Sequence, residues 1–250
     1  RSYSAGAEVE GRRGVGLMRP ALVKPDLTAD RAEALRLTPV SRETLRRLDL
    51  YVETLLDWNG RTNLIGASTV PHLWTRHIAD SLQLLDLAPN ARIWVDLGSG
   101  AGFPGLAIAC ALADTPGAKV HLVESTGKKT AFLREAVNIT GAPAVVHTER
   151  IEKFVETFNG RADVVTARAL APLKSLMDQS VRLFKPGTLG LFPKGQDVDA
   201  ELTEATKYWN IKVNLAPSRT DSKARVVVVH ALERRAAAAN ERRKPARRLR

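Results

Sequence analysis

Residues 95–105, VDLGSGAGFPG, place an acid and several glycines at a spacing that can hold a small polar ligand. Asp96 precedes Gly98, Gly100 and Gly102 at alternate positions, and Phe103 follows them. Glycine allows positive φ and close backbone approach, and a helix starting beyond such a loop offers unpaired N–H groups. The loop therefore suits an electron-rich or hydroxyl-bearing ligand. It is not a Walker loop, because no Gly-Lys-Ser/Thr follows. It also fails the dinucleotide pattern G-x-G-x-x-G, since Phe103 stands where the third glycine counted from Gly98 belongs.

A second acid gives the loop meaning. Glu124 ends the apolar run AKVHLVE, and strand ends face the ligand crevice in doubly wound sheets. A carboxylate there can accept both ribose hydroxyls of a nucleoside. Asp96 is expected to face the amino-acid end of a zwitterionic ligand, through the loop or a water. Taken singly, the acids could cap helices and the glycines could make a turn. Together, in this order and at strand–helix–strand spacing, they point to S-adenosylmethionine.

The elements that must position these residues are visible as a change of period. From Ser41, Leu45, Leu48, Val52, Leu55 and Leu56 recur at helical spacing behind a capping residue. A further helix is expected over about 71–88, with Leu73, Trp74, Ile78, Leu82 and Leu85 on its buried face. The runs ARIWVDL, AKVHLVE, APAVVHT, ADVVTAR, TLGLFPK, NIKVNLA and ARVVVVHAL then alternate with helical stretches such as GKKTAFLREAVNIT, which ends at Gly141. This predicts an α/β fold with a doubly wound, mostly parallel sheet of seven strands. Only a turn around Pro217 to Asp221 separates the last two strands, so they should be antiparallel. The expected organisation is an irregular stretch over 1–27, a helical extension over 28–90, the ligand-binding domain over 91–232 and a basic tail over 233–250.

Composition narrows the partners. The chain carries 38 Lys and Arg against 27 Asp and Glu, a formal charge of +11. The tail ERRAAAANERRKPARRLR holds eight of the bases and two of the acids. Such an excess favours a polyanion, because each neutralised phosphate releases counterions. A solvated tail without a role is the plain alternative, since it has no aromatic to stack on bases. No apolar run approaches the roughly 18–20 residues of a membrane span, the N-terminal stretch lacks a signal-peptide apolar core, and a cytoplasmic location is expected. The single Cys110 excludes an intramolecular disulfide and a cysteine-built metal site. His121, His147 and His230 occur singly in strands, so no metal is expected.

Several motifs in order make a resemblance specific: DLGSGAGFPG, LVESTGKKTAFLREA, ERIEKF, VVTARALAPL and FPKG, preceded by WNGRTNLIG and LWTRHIADSL. Over roughly residues 40–230 the chain resembles the glucose-inhibited division protein B (RsmG) family, the small-subunit ribosomal RNA guanine-N7 methyltransferases. The resemblance implies a Rossmann-like class I methyltransferase fold, S-adenosylmethionine as cofactor, and 16S ribosomal RNA (the 530-loop region) or the 30S subunit as partner of a monomer. It places the methionine part of the cofactor on Gly98, Gly100 and Phe103, the ribose on Glu124, the adenine between Ile151 and Glu152, and Arg168 at the reactive edge. Phe103 departs from the Leu common in the family, keeping an apolar wall of different shape.

The chemistry fits what the sequence lacks. Methyl transfer from a sulfonium is an in-line displacement whose main demand is alignment. Guanine N7 has a free lone pair and no proton to lose, so no general base is required. No Asp/Asn-Pro-Pro-aromatic motif for an exocyclic amine and no Pro-Cys nucleophile is present. Arg168 is expected to position the substrate through guanine O6 or a phosphate. Lys194, Lys128, Lys129 and Arg76 are candidates for RNA contact. Arg76 has a plainer reading as an i, i+4 partner of Asp80, His77 as a packed histidine, and Asn59 and Asn63 as caps around a helix-ending Gly60. Methylation of a non-RNA acceptor, a non-catalytic RNA-binding or assembly factor on the same fold, and a redox enzyme, the weakest of the three, remain as alternatives.

Overall fold

The computed structural model describes residues 25–235. Most of the expected irregular N-terminus and of the basic tail lie outside the described residues. Helix α1 (Thr28–Leu37) is followed by α2 (Arg42–Thr62). Ser41 caps α2 as its position predicts, its Oγ accepting the Thr44 N–H at 3.1 Å. Gly60 does not end the helix. The chain continues to Asn63, which takes the left-handed conformation (φ 47°) that Asn tolerates. Asn59 Oδ1 then accepts the Ile65 N–H at 2.9 Å, closing the turn that follows the helix.

The continuous helix expected over about 71–88 is broken. A 3-10 helix (Ala67–His72) leads into a π-helical stretch (Trp74–Ala79), then short helices α3 (Asp80–Leu82) and α4 (Leu84–Leu87). Asp30 of α1 fixes the start, accepting the Trp74 N–H at 2.7 Å and the Thr75 Oγ1–H at 2.6 Å. Residues four apart no longer stack on a π-helix, whose hydrogen bonds span five. The expected Arg76–Asp80 pair is accordingly not made. Arg76 faces Asp221 at 3.7 Å, and Asp80 faces Arg168 at 3.7 Å.

Seven strands follow: β1 (Ile93–Leu97), β2 (Lys119–Glu124), β3 (Ala144–Thr148), β4 (Val164–Thr166), β5 (Leu189–Lys194), β6 (Trp209–Pro217) and β7 (Arg225–Arg234). Helices α5 (Gly105–Ala111), α6 (Gly127–Thr140), α7 (Ile151–Thr157), α8 (Leu173–Ser180) and α9 (Val198–Thr206) connect the first six. Gly141 ends α6 in the left-handed conformation, as expected. The sheet order is β3-β2-β1-β4-β5-β7-β6, with β7 antiparallel to both neighbours. Strand residues alternate between two cores. Trp94, Val226 and Val228 pack with α1, α2, α5 and α6 on one face, whereas Val95, Val227 and Val229 pack with α7, α8 and α9 on the other. The chain reverses direction across the sheet between β1 and β4, which opens a crevice at their carboxyl ends. Cys110 is buried in α5, where burial pushes its thiol up to about 12. It is the small core residue expected.

Candidate active site

The glycine loop crosses the carboxyl end of β1. The N–H groups of Gly98 and Ser99 both donate to Val123 O, at 2.9 and 3.0 Å, tying the loop to β2. At Gly98 the left-handed φ of 71° strains any residue with a Cβ, which would also come within 2.6 Å of the Leu170 side chain, so this turn favours glycine. Gly100 differs: a Cβ there would meet nothing nearer than 3.8 Å, although the residue lines the cavity. Its openness on that side leaves room for a ligand against the backbone. The N-terminal extension braces the loop from behind, where buried Tyr51 donates its hydroxyl to Ala101 O at 2.5 Å.

Asp96 sits under the loop rather than in the cavity. It is wholly buried, and its Oδ2 accepts the Gly105 N–H at 3.1 Å. Its Oδ1 has no partner among the described residues, and burial raises the carboxyl to about 7. It ties the first turn of α5 to β1 and does not itself line the cavity, from which the loop separates it.

A cavity of about 490 Å³ opens above the loop, a size suited to a nucleoside-containing ligand. Gly98, Gly100, Phe103, Glu124, Ile151 and Glu152 all line it. Glu124 is held rigid: its Oε2 accepts the Gly100 N–H at 3.1 Å and its Oε1 the Thr126 N–H at 2.8 Å. Each oxygen keeps a lone-pair direction for a hydroxyl donor. Lys129 reaches in, with Nζ 3.9 Å from Glu124 Oε2, while Lys128 is exposed on α6 and outside the cavity lining. One contributor escaped sequence reasoning. Gln179 of α8 lines the cavity with a buried Oε1 that lacks a partner among the described residues, an acceptor fit for a ligand amine. The donor set and the open glycine backbone thus fit S-adenosylmethionine.

Arg168, just beyond β4, is the hinge of the site. Its Nη2 donates to His77 Nδ1 at 2.7 Å and its Nη1 to Arg76 O at 3.1 Å. A guanidinium only donates, so the His77 proton is on Nε2, 3.2 Å from Thr69 Oγ1. Burial, then the neighbouring Arg168 and Arg76 charges, push His77 down to about 3, and the ring stays neutral. Phe103 stacks on His77 with centroids 4.8 Å apart, and the Arg168 guanidinium lies 5.3 Å from the Phe103 ring centre. Ala169, next along, adopts φ 52°, a strained conformation for a residue with a Cβ.

Arg168 also lines a second cavity, of about 510 Å³, together with Arg76, Asp80 and Lys194. Lys194 is not a free cation: its Nζ lies 2.7 Å from Glu201 Oε2 and donates to Ala171 O at 2.7 Å. His121 and His147 are not isolated either, their Nδ1 and Nε2 lying 3.0 Å apart across β2 and β3. Among the described residues no three His, Cys, Asp or Glu side chains could hold a metal ion.

A sheet of this order with a glycine loop after β1 and an acid after β2 defines a class I, S-adenosylmethionine-dependent methyltransferase. The fold is similar to the O-methyltransferase of Bacillus cereus in complex with S-adenosylhomocysteine (TM-score 0.54, 13% identity, 81% of this chain and 97% of that one). It is similar also to a putative O-methyltransferase from Klebsiella pneumoniae (TM-score 0.53, 13% identity, 83% and 99% of the two chains). The family model for rRNA small subunit methyltransferase G matches residues 44–227. Ribosomal RNA small subunit methyltransferase G of Bradyrhizobium sp. (strain ORS 278) is 60% identical over 215 residues, 86% of this chain and 97% of the relative. The protein of that name in Nitrobacter hamburgensis is 55% identical over 235 residues, 91% of this chain and 90% of the relative. The chain belongs to the ribosomal RNA small subunit methyltransferase G (GidB) family.

Proposed function

We propose that this protein methylates guanine N7 in the 530-loop region of 16S ribosomal RNA, free or within the 30S subunit. The observation that carries the reading is Arg168, a fixed donor in the wall shared by the two cavities. Bound S-adenosylmethionine would supply an electrophilic methyl group on a sulfonium. Gly98, Gly100 and Phe103 hold its methionine end, Glu124 its ribose, and Ile151 and Glu152 its adenine. Arg168 donates to guanine O6, the ring substituent beside N7, and so orients the N7 lone pair. The product base gains positive charge, so the guanidinium serves alignment rather than charge stabilisation.

The nearby titratable groups support transfer without a general base. The His77 Nδ1 lone pair is taken by Arg168, and Asp96 is buried beneath the loop. Lys129, at the cavity, is a better candidate for a phosphate contact than Lys194, which is already paired. The test is a comparison of Arg168→Ala with the wild type. Single-turnover methylation should fall about 100-fold, in the range for a lost positioning group, with cofactor affinity within about threefold. Equal rates at saturating RNA would remove Arg168 from that role.

A further inference from the structure

The second cavity contains an acceptor and a donor side by side, Asp80 and Arg168. Asp80 Oδ1 is occupied, accepting from Gln83 Nε2 at 2.8 Å and Thr220 Oγ1 at 2.9 Å. These bonds fix the carboxylate. Its Oδ2 accepts no hydrogen bond among the described residues and lies 3.7 Å from Arg168 Nη1. Arg168 is fixed in turn by His77, the Arg76 carbonyl and the Phe103 ring. The two groups are a preformed donor–acceptor edge, with Arg168 touching both cavities and Asp80 only the second.

We infer that Asp80 is a specificity-determining residue, which accepts the N1–H of a guanine lodged in the second cavity while Arg168 donates to O6. Around the guanine ring the order is N1–H, O6, N7. Through the protein the order is Asp80, Arg168, cofactor cavity. Matching the first two pairs therefore turns N7, and no other ring nitrogen, toward the cofactor side. Adenine reverses both polarities, presenting an amine to the guanidinium and a bare N1 to the carboxylate. Such donor–acceptor mismatch is how base edges are told apart. Asp80 stands on α3 directly after the π-helical stretch, so the broken helix is what frees it from Arg76 and delivers it to Arg168.

The inference rests on the guanine-N7 reading above, and the experiment separates the two. 16S RNA lacking the modification would carry guanine, 1-methylguanine or adenine at the target position. Wild-type protein and Asp80→Asn would be compared by kcat/KM, with S-adenosylmethionine titrated by calorimetry. The wild type should use 1-methylguanine at least about tenfold less well than guanine, because the N1–H is gone. Asp80→Asn places an amide donor beside N1, so its guanine-over-adenine preference should fall by at least about tenfold while cofactor affinity stays within about threefold. Full activity of the wild type on 1-methylguanine overturns the role of Asp80, and this arm needs no variant to fold. An unchanged base preference in Asp80→Asn overturns it as well. Wild-type protein that methylates no RNA guanine removes both this inference and the reading beneath it.

Discussion

Glu124 supports the glycine loop and, on the proposed reading, also receives the ribose, so its substitution should show the two together. Glu124→Ala removes an acceptor for ribose and strands the Gly100 and Thr126 N–H groups. S-adenosylmethionine affinity should fall by about 1–3 kcal/mol, measured by calorimetry; an unchanged affinity would take Glu124 out of the site. Asp96 should make itself felt through pH. Its folded-state value is raised to about 7 from 3.8, so its contribution to stability is complete below pH 3.8 and is lost as pH rises toward 7. Asp96→Asn lacks that dependence. Its stability relative to the wild type should therefore climb between about pH 4 and 7 and level off above, as followed by thermal unfolding of the two proteins. Parallel pH profiles would contradict the raised carboxyl of buried Asp96. Its burial beneath the loop was not legible in the sequence, because a strand-end acid and a buried loop anchor share the same local signature.

The scale of elements is where sequence and structure diverge most usefully. The strands were legible because those covered on both faces carry apolar runs, such as residues 93–95 and 226–229, and the glycine loop because its spacing is local. The helical run over 67–87 was not. Its π-helical stretch is held by Asp30, more than forty residues away, and no periodicity encodes such a contact. The partners of Arg168 were hidden for the same reason, since His77 lies 91 residues from it in the chain. The loop's dependence on its neighbours can be tested directly. Gly105→Ala would put a Cβ 2.6 Å from Asp96 Oδ2 and 2.5 Å from Leu122 Cδ2. The overpacking should cost about 1–3 kcal/mol, read as a lowered denaturation midpoint, and a wild-type midpoint would show that the helix start can shift without strain. The N-terminal extension acts through Tyr51: the Tyr51→Phe variant should be about 0.5–1.5 kcal/mol less stable for its lost bond to Ala101 O.

At the scale of the whole molecule, charge and topology point the same way. The crevice at the β1–β4 reversal holds the cavity above the glycine loop, the one proposed for the cofactor, and the second cavity opens on the other side of Arg168 toward β5 and β7. A formal charge of +11 suits a phosphate-rich partner. If the segment 236–250 touches phosphates, removing it should lower RNA affinity and flatten the dependence of log K on log salt; an unchanged slope would assign it no phosphate contact. No helix among the described residues is long and apolar enough to cross a membrane. The family and its fold define the methyl donor, and the acceptor atom is the central proposal. The most direct measurement is transfer of an isotopically labelled methyl group from S-adenosylmethionine to unmodified 16S RNA and 30S subunits, with the nucleosides resolved by mass spectrometry. Label in 7-methylguanosine is the predicted result. Label in any other nucleoside, or none in RNA from a protein that still binds the cofactor, would contradict it.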